Sequence, residues 1–127
     1  MLPRAHRMVS PADFTATFRR GARVATPRLV LHVRADKGPQ NGALVGFVVP
    51  KKAVKLATGR NLVKRRLREI MSQHLAEIPA NYRVVLRANA AAATATYQEL
   101  VQDVAENLPR GIARAQALAL KHAQEEA

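Results

Sequence analysis

The sequence predicts one α/β domain of the α+β kind, with amphipathic helices laid on a sheet, and three observations point there. Its 127 residues are enough to bury a single core but too few to divide comfortably into two domains. Helical periodicities and short alternating or apolar runs follow one another with no long linker and no internal repeat between them. Hydrophobic residues make up 48% of the chain, an ordinary globular proportion, so a folded body carries the charge.

The first element is a short helix. Ser10-Pro11-Ala12-Asp13 has the form of a helix start, with Ser10 as cap, Pro11 in the first turn and Asp13 placed to reach back as in a capping box. Gly21 supplies a stop. The helix over roughly 11–20 stacks Phe14 and Phe18, two of the chain's three phenylalanines, on one face. From Arg28 to Arg34 the chain alternates, with Leu29, Leu31 and Val33 on a core side and Arg28, Val30, His32 and Arg34 on a basic side. The turn formers of Asp36 to Gly42 lead into an apolar run, Ala43 to Val49, that Pro50 ends, and a hairpin is the simplest pairing.

Lys51, Lys52, Lys55, Arg60, Lys64, Arg65, Arg66 and Arg68 then follow with no acidic residue among them. On a helix from about residue 58, Val63, Leu67 and Ile70 share one face, and Asn61, Lys64, Arg65 and Arg68 the opposite one. Ile78-Pro79-Ala80-Asn81 stops that helix, and Tyr82 to Arg87 forms a strand. Tyr97, Leu100, Val101, Val104 and Leu108 recur at helical spacing, Pro109-Arg110-Gly111 breaks the pattern, and Ile112 to Ala123 forms a further, alanine-rich helix.

The charge directs the functional reading. Twenty-one Lys and Arg against nine Asp and Glu leave +12, which favours a polyanion such as nucleic acid over an anionic membrane as partner. The absence of cysteine removes disulfides and thiolate chemistry and fits a reducing, cytoplasmic setting. No signal peptide or membrane span is expected, because the apolar runs are only strand-length.

A protein-borne active site is not expected. Ser10 and Ser72 lie outside any Gly-x-Ser-x-Gly elbow, and His6, His32, His74 and His122 lack ligand spacing. Gly42 and Gly46 ahead of Lys51 do not make a phosphate loop. What is present is an uncompensated basic stripe suited to RNA phosphates. Phe14 and Phe18 serve as core for a short helix or as a floor on which unpaired bases stack, and the two roles are compatible.

Taken in order, Phe14 to Phe18, Leu29 to Val33, Val45-Gly46-Phe47-Val48-Val49-Pro50-Lys51-Lys52, Gly59-Arg60-Asn61-Leu62-Val63-Lys64-Arg65-Arg66-Leu67-Arg68-Glu69 and Ile78 to Leu86 resemble the bacterial ribonuclease P protein family. The resemblance runs from about residue 7 to about residue 108, and 109–127 reads as a helical tail of the same domain. It implies an αβββαβα two-layer sandwich with a mixed four-stranded sheet and a left-handed βαβ crossover. It also implies that a magnesium-dependent RNA subunit is the catalyst. The protein then has no catalytic residues or metal of its own, and its partners are that RNA and precursor tRNA, with neither a membrane nor an obligate protein partner.

The family's Arg-Asn-Arg signature maps onto Arg60 and Asn61 with Leu62 in its third position, and its basic pair maps onto Lys51 and Lys52. With Lys64, Arg65 and Arg68 these are the expected contacts to the RNA subunit. The family's groove for the single-stranded 5′ leader is lined by aromatic residues that map onto Phe14 and Phe18, and a third aromatic of some members falls near His32, flanked here by Arg28 and Arg34. Two rivals are a basic ribosomal or ribosome-assembly protein and a metal-dependent nuclease acting alone.

Overall fold

A computed structural model describes residues 2–36 and 42–126. Helix α1 (Pro11–Arg20) is followed by strands β1 (Ala22–Ala25), β2 (Leu29–Ala35) and β3 (Leu44–Val48), helix α2 (Ala57–Ser72), strand β4 (Tyr82–Ala88) and helix α3 (Tyr97–Glu126). The expected αβββαβα order is met. The turn formers at 37–41 lie outside the described residues.

The hairpin expected between β2 and β3 does not form. The sheet order is β1-β2-β4-β3, with β4 antiparallel to β2 and parallel to β3. Val84, Val85 and Leu86 of β4 are fully buried. A strand apolar on both faces belongs in the sheet interior, and a turn signal between two other strands carries no information about that. Strand β1 pairs Arg23 with His32 and Val24 with Leu31 at one edge. At the other edge Met8 N–H donates to Val45 O at 2.9 Å.

One sheet face, carrying Leu29, Leu31, Val33, Val84 and Leu86, meets Val63, Leu67 and Ile70 of α2 and Leu100, Val104 and Leu108 of α3 in one core. Burying a side chain of that size contributes about 1.5–3 kcal/mol. Helix α1 crosses the opposite face.

The helix ends differ from expectation. Ser10 holds the N-cap position of α1 without a side-chain bond, and the Asp13 carboxylate lies 3.6 Å from Arg34 and does not reach back to Ser10. The reciprocal capping box forms instead at α3, where Thr96 N–H donates to Glu99 Oε1 at 2.8 Å and Glu99 N–H to Thr96 Oγ1 at 3.1 Å. These bonds hold the Glu99 carboxyl below the usual carboxylate range, with Arg28 adding to the effect.

Nor does Pro109 end the helix, since α3 runs through it as a single 30-residue element. A proline there forfeits one backbone bond and crowds the preceding turn. Pro109 is exposed, so water can serve the freed carbonyl, while Leu108 and Ala115 are anchored in the core. Gly111 allows the close approach, since a Cβ there would lie 2.7 Å from Val33 Cγ2.

Candidate RNA-binding groove and basic helix

On the α1 face of the sheet, strand register places Arg23 of β1, His32 of β2, Val85 of β4 and Gly46 of β3 in one row. Above it stand the two phenylalanines. Phe18 meets the His32 ring edge-on, with centroids 4.8 Å apart and planes at 83°. Phe14 lies against the backbone of Gly46 so closely that a Cβ there would come within 2.5 Å of the ring. Glycine at 46 is what lets Phe14 reach the strand.

Two hollows flank this row. The first, of about 460 Å³, is lined by Phe18, Arg23, Val30, His32, Val48, Pro50 and Arg87. Phe18 keeps 37% of its surface exposed there, which leaves ring area for stacking. The second is lined by Arg7, Met8, Val9, Phe14, Gly46, Lys64 and Arg68 among others. It lies at the β3 edge beside the basic side of α2, and the two hollows follow one another along the row from β3 through β4 and β2 to β1, together making up a trough.

His32 is 8% exposed and its Nδ1 is buried without a partner. A buried N–H without an acceptor is the costlier orphan, which assigns the proton of the neutral ring to Nε2. Burial holds the imidazole below its ordinary pKa of 6.5, and the charges of Arg23 and Arg87 push the same way. His32 is therefore a neutral flat ring at neutral pH, flanked by two cations.

Helix α2 presents its expected faces, with Val63, Leu67 and Ile70 buried and Asn61 and Arg65 exposed. Lys64 and Arg68 stand half-buried at the trough. Lys51 and Lys52 are exposed in the turn ahead of the helix. Arg60 is partly committed, because its Nη1 donates to the carbonyls of Val54 at 2.9 Å and Lys55 at 2.7 Å and so holds that turn in place. Among the described residues none of Lys51, Lys52, Arg60, Lys64, Arg65 or Arg68 forms an ion pair.

Two expected groove residues lie elsewhere. Arg28 precedes β2, where strand alternation no longer sets its direction, and it turns to α3. There it donates to Asp103 at 2.7 and 3.2 Å and to Glu99 at 3.1 Å. Arg34, with its side chain 11% exposed, is clamped by Asp36 at 3.2 Å and Asp13 at 3.6 Å and donates to Thr17 Oγ1 at 3.4 Å. It pins α1 to the sheet. The cations that do line the groove, Arg23 and Arg87, escape a reading of the sequence. The alternation of Arg83, Val85 and Arg87 sets these three on one face, but only the register shows that the face is that of His32.

The carboxylates of Asp13, Asp36, Glu99 and Asp103 face arginines, and among the described residues no three His, Asp or Glu side chains gather where they could hold a metal. Among those residues no helix is long and apolar enough to cross a membrane.

A protein-family model described as Ribonuclease P matches residues 2–110. A ribonuclease P protein component from Kocuria rhizophila is 46% identical over 103 residues, covering 81% of this chain and 88% of that one. Another, from Acidothermus cellulolyticus, is 42% identical over 103 residues, covering 81% and 85%. The structure of the Staphylococcus aureus RNase P protein is similar with a TM-score of 0.71 at 26% identity, covering 83% of this chain and 93% of that one. That of Thermotoga maritima shares the fold, with a TM-score of 0.70 at 23% identity over 82% and 96%. A family match across most of the chain, on this sheet order and with the basic helix in its expected place, means that the protein belongs to the bacterial ribonuclease P protein family.

Proposed function

We propose that this chain is the RNA-binding subunit of a ribonuclease P holoenzyme, acting with a catalytic RNA in the cytoplasm to remove the 5′ leader of precursor tRNA. Lys51, Lys52, Arg60, Asn61, Lys64, Arg65 and Arg68 meet the phosphates of the RNA subunit. The leader lies in the trough, with bases against Phe18 and Phe14 and phosphates beside Arg23 and Arg87. The observation that carries this reading is that aromatic rings and cations line the same sheet face, Phe18 and His32 with Arg23 and Arg87 in one hollow and Phe14 with Lys64 and Arg68 in the next, the combination that suits single-stranded RNA.

The chain's own contribution is binding and alignment. Holding the leader fixes the precursor against the RNA subunit, so part of the orientation entropy is lost on binding and not in the chemical step. Neutralised phosphates also lower the magnesium concentration that the RNA needs to fold and to engage its substrate. Magnesium supplies the hydrolytic chemistry on the RNA.

Reconstitution tests this reading. Adding the protein to the RNA subunit of the same bacterium should accelerate precursor cleavage at low magnesium. Cleavage by the protein alone with Mg²⁺ would overturn it, and so would unchanged cleavage by the RNA when the protein is added.

A further inference from the structure

The family model ends at residue 110, yet α3 continues to Glu126. Along one stripe of that helix, Glu99, Asp103 and Glu106 give way to Arg110, Arg114 and Lys121, whose spacings of four and seven residues keep them on one side. The acids of the stripe are taken up before the cations begin. Arg28 occupies Glu99 and Asp103, and Glu106 accepts from Gln102 Nε2 at 3.0 Å. Arg110, Arg114 and Lys121 are exposed and form no ion pair among the described residues.

Core packing of Leu108 and Ala115 positions α3, and one hydrogen bond shows where the stripe lies. Arg114 Nη1 donates to Arg23 O at 2.8 Å, so the basic half of α3 flanks the β1 edge of the sheet. The side chain of Arg23 lines the groove beside His32, and exposed Arg20, at the end of α1, lines a hollow with Ala115, Leu118 and His122 of α3. The β1 end of the trough thus lies beside a second group of cations that form no ion pair among the described residues.

We propose that this edge, formed by Arg20, Arg23, Arg110, Arg114 and Lys121, carries the phosphates of the distal 5′ leader, the nucleotides upstream of those in the groove. The inference rests on the groove being the leader site. A strand entering from α2 and crossing β3, β4 and β2 leaves over β1, and there its phosphates meet Arg23 and then the α3 stripe.

The test uses reconstituted holoenzyme and precursors with no leader, a leader of about four nucleotides and one of about twelve, spanning the range that single-strand-binding domains cover. The variant is Arg110→Gln with Lys121→Gln, which spares Arg114 and its bond to β1. Circular dichroism checks that it folds.

Wild-type protein should bind the long-leader precursor several-fold tighter than the short-leader one, and the variant should lose that difference while binding the short-leader precursor as before. Its salt slope on the long substrate should fall by roughly 0.7 for each phosphate no longer neutralised. A variant that keeps the long-leader advantage overturns the proposal. So does one that weakens all three substrates equally, which would assign the stripe to the RNA subunit or the tRNA body. Wild-type protein that binds leaderless and short-leader precursors alike would instead remove the groove reading itself.

Discussion

Four arginines on or next to β2 and its neighbouring strands divide into two kinds. Arg28 and Arg34 stand at the two ends of β2, and each meets a pair of carboxylates, Glu99 with Asp103 and Asp13 with Asp36. Arg23 and Arg87 stand on the strands or registers beside His32 and line an open groove. The four have the same chemistry and lie within a few residues of the same strand, yet one pair holds helices onto the sheet and the other is free for a ligand. The difference lies in which carboxylates other elements bring within reach, so a count of cations overstates what a partner meets.

The contrast is sharpest in its response to salt. If the free cations engage about six RNA phosphates, affinity for the RNA should fall roughly a thousandfold between 50 and 200 mM salt, as read by filter binding or anisotropy. The clamped arginines should contribute nothing to that slope. An affinity indifferent to salt would erase the distinction.

Removing the stacking surface has the next largest effect. Phe18→Ala should weaken binding of a leader-bearing precursor by about 1–3 kcal/mol, or roughly 5- to 150-fold, the range for one base on one aromatic ring. Leaderless tRNA should bind as before. Equal loss on both would make Phe18 a core residue alone.

A paired comparison then separates the two kinds of arginine. Arg65→Ala should lower the salt slope of RNA binding by about one unit and leave the melting temperature unchanged. Arg28→Ala should lower the melting temperature, because Asp103 loses its partner, and leave the slope unchanged. A reversed pattern would mean that Arg28 faces the ligand after all.

The smallest effect is that of pH. Folded His32 is held below its ordinary value of 6.5 by burial and by the charges of Arg23 and Arg87, so the unfolded chain takes up the proton first. Its contribution to stability is therefore steady above about pH 6.5, decreases as the pH falls below that value, and levels off once the folded pKa is passed. His32→Phe should flatten that part of a denaturation profile, and an unchanged profile would mean that the ring titrates freely.

Much of this was legible along the chain. The faces of α2 and the pairing of Phe14 with Phe18 are periodicities of three and four residues, which local geometry enforces. The partner of β3 was not legible, because a hairpin signal is local and the placement of β4 depends on total burial. Nor was the continuity of α3, since a proline breaks a helix unless packing on both sides outweighs the lost bond, and that packing comes from Val33 and the core.

The amino-acid order by itself determined a +12 charge, a helix with one oily and one basic side, and an aromatic pair beside them, because these depend only on composition and on short-range periodicity. Only the tertiary structure decided which arginines remain free, since neutralisation here depends on carboxylates 71 and 75 residues away in sequence for Arg28. Charge interactions act across space and weaken with distance, so folding, which brings distant carboxylates close, determines which cations an RNA can meet.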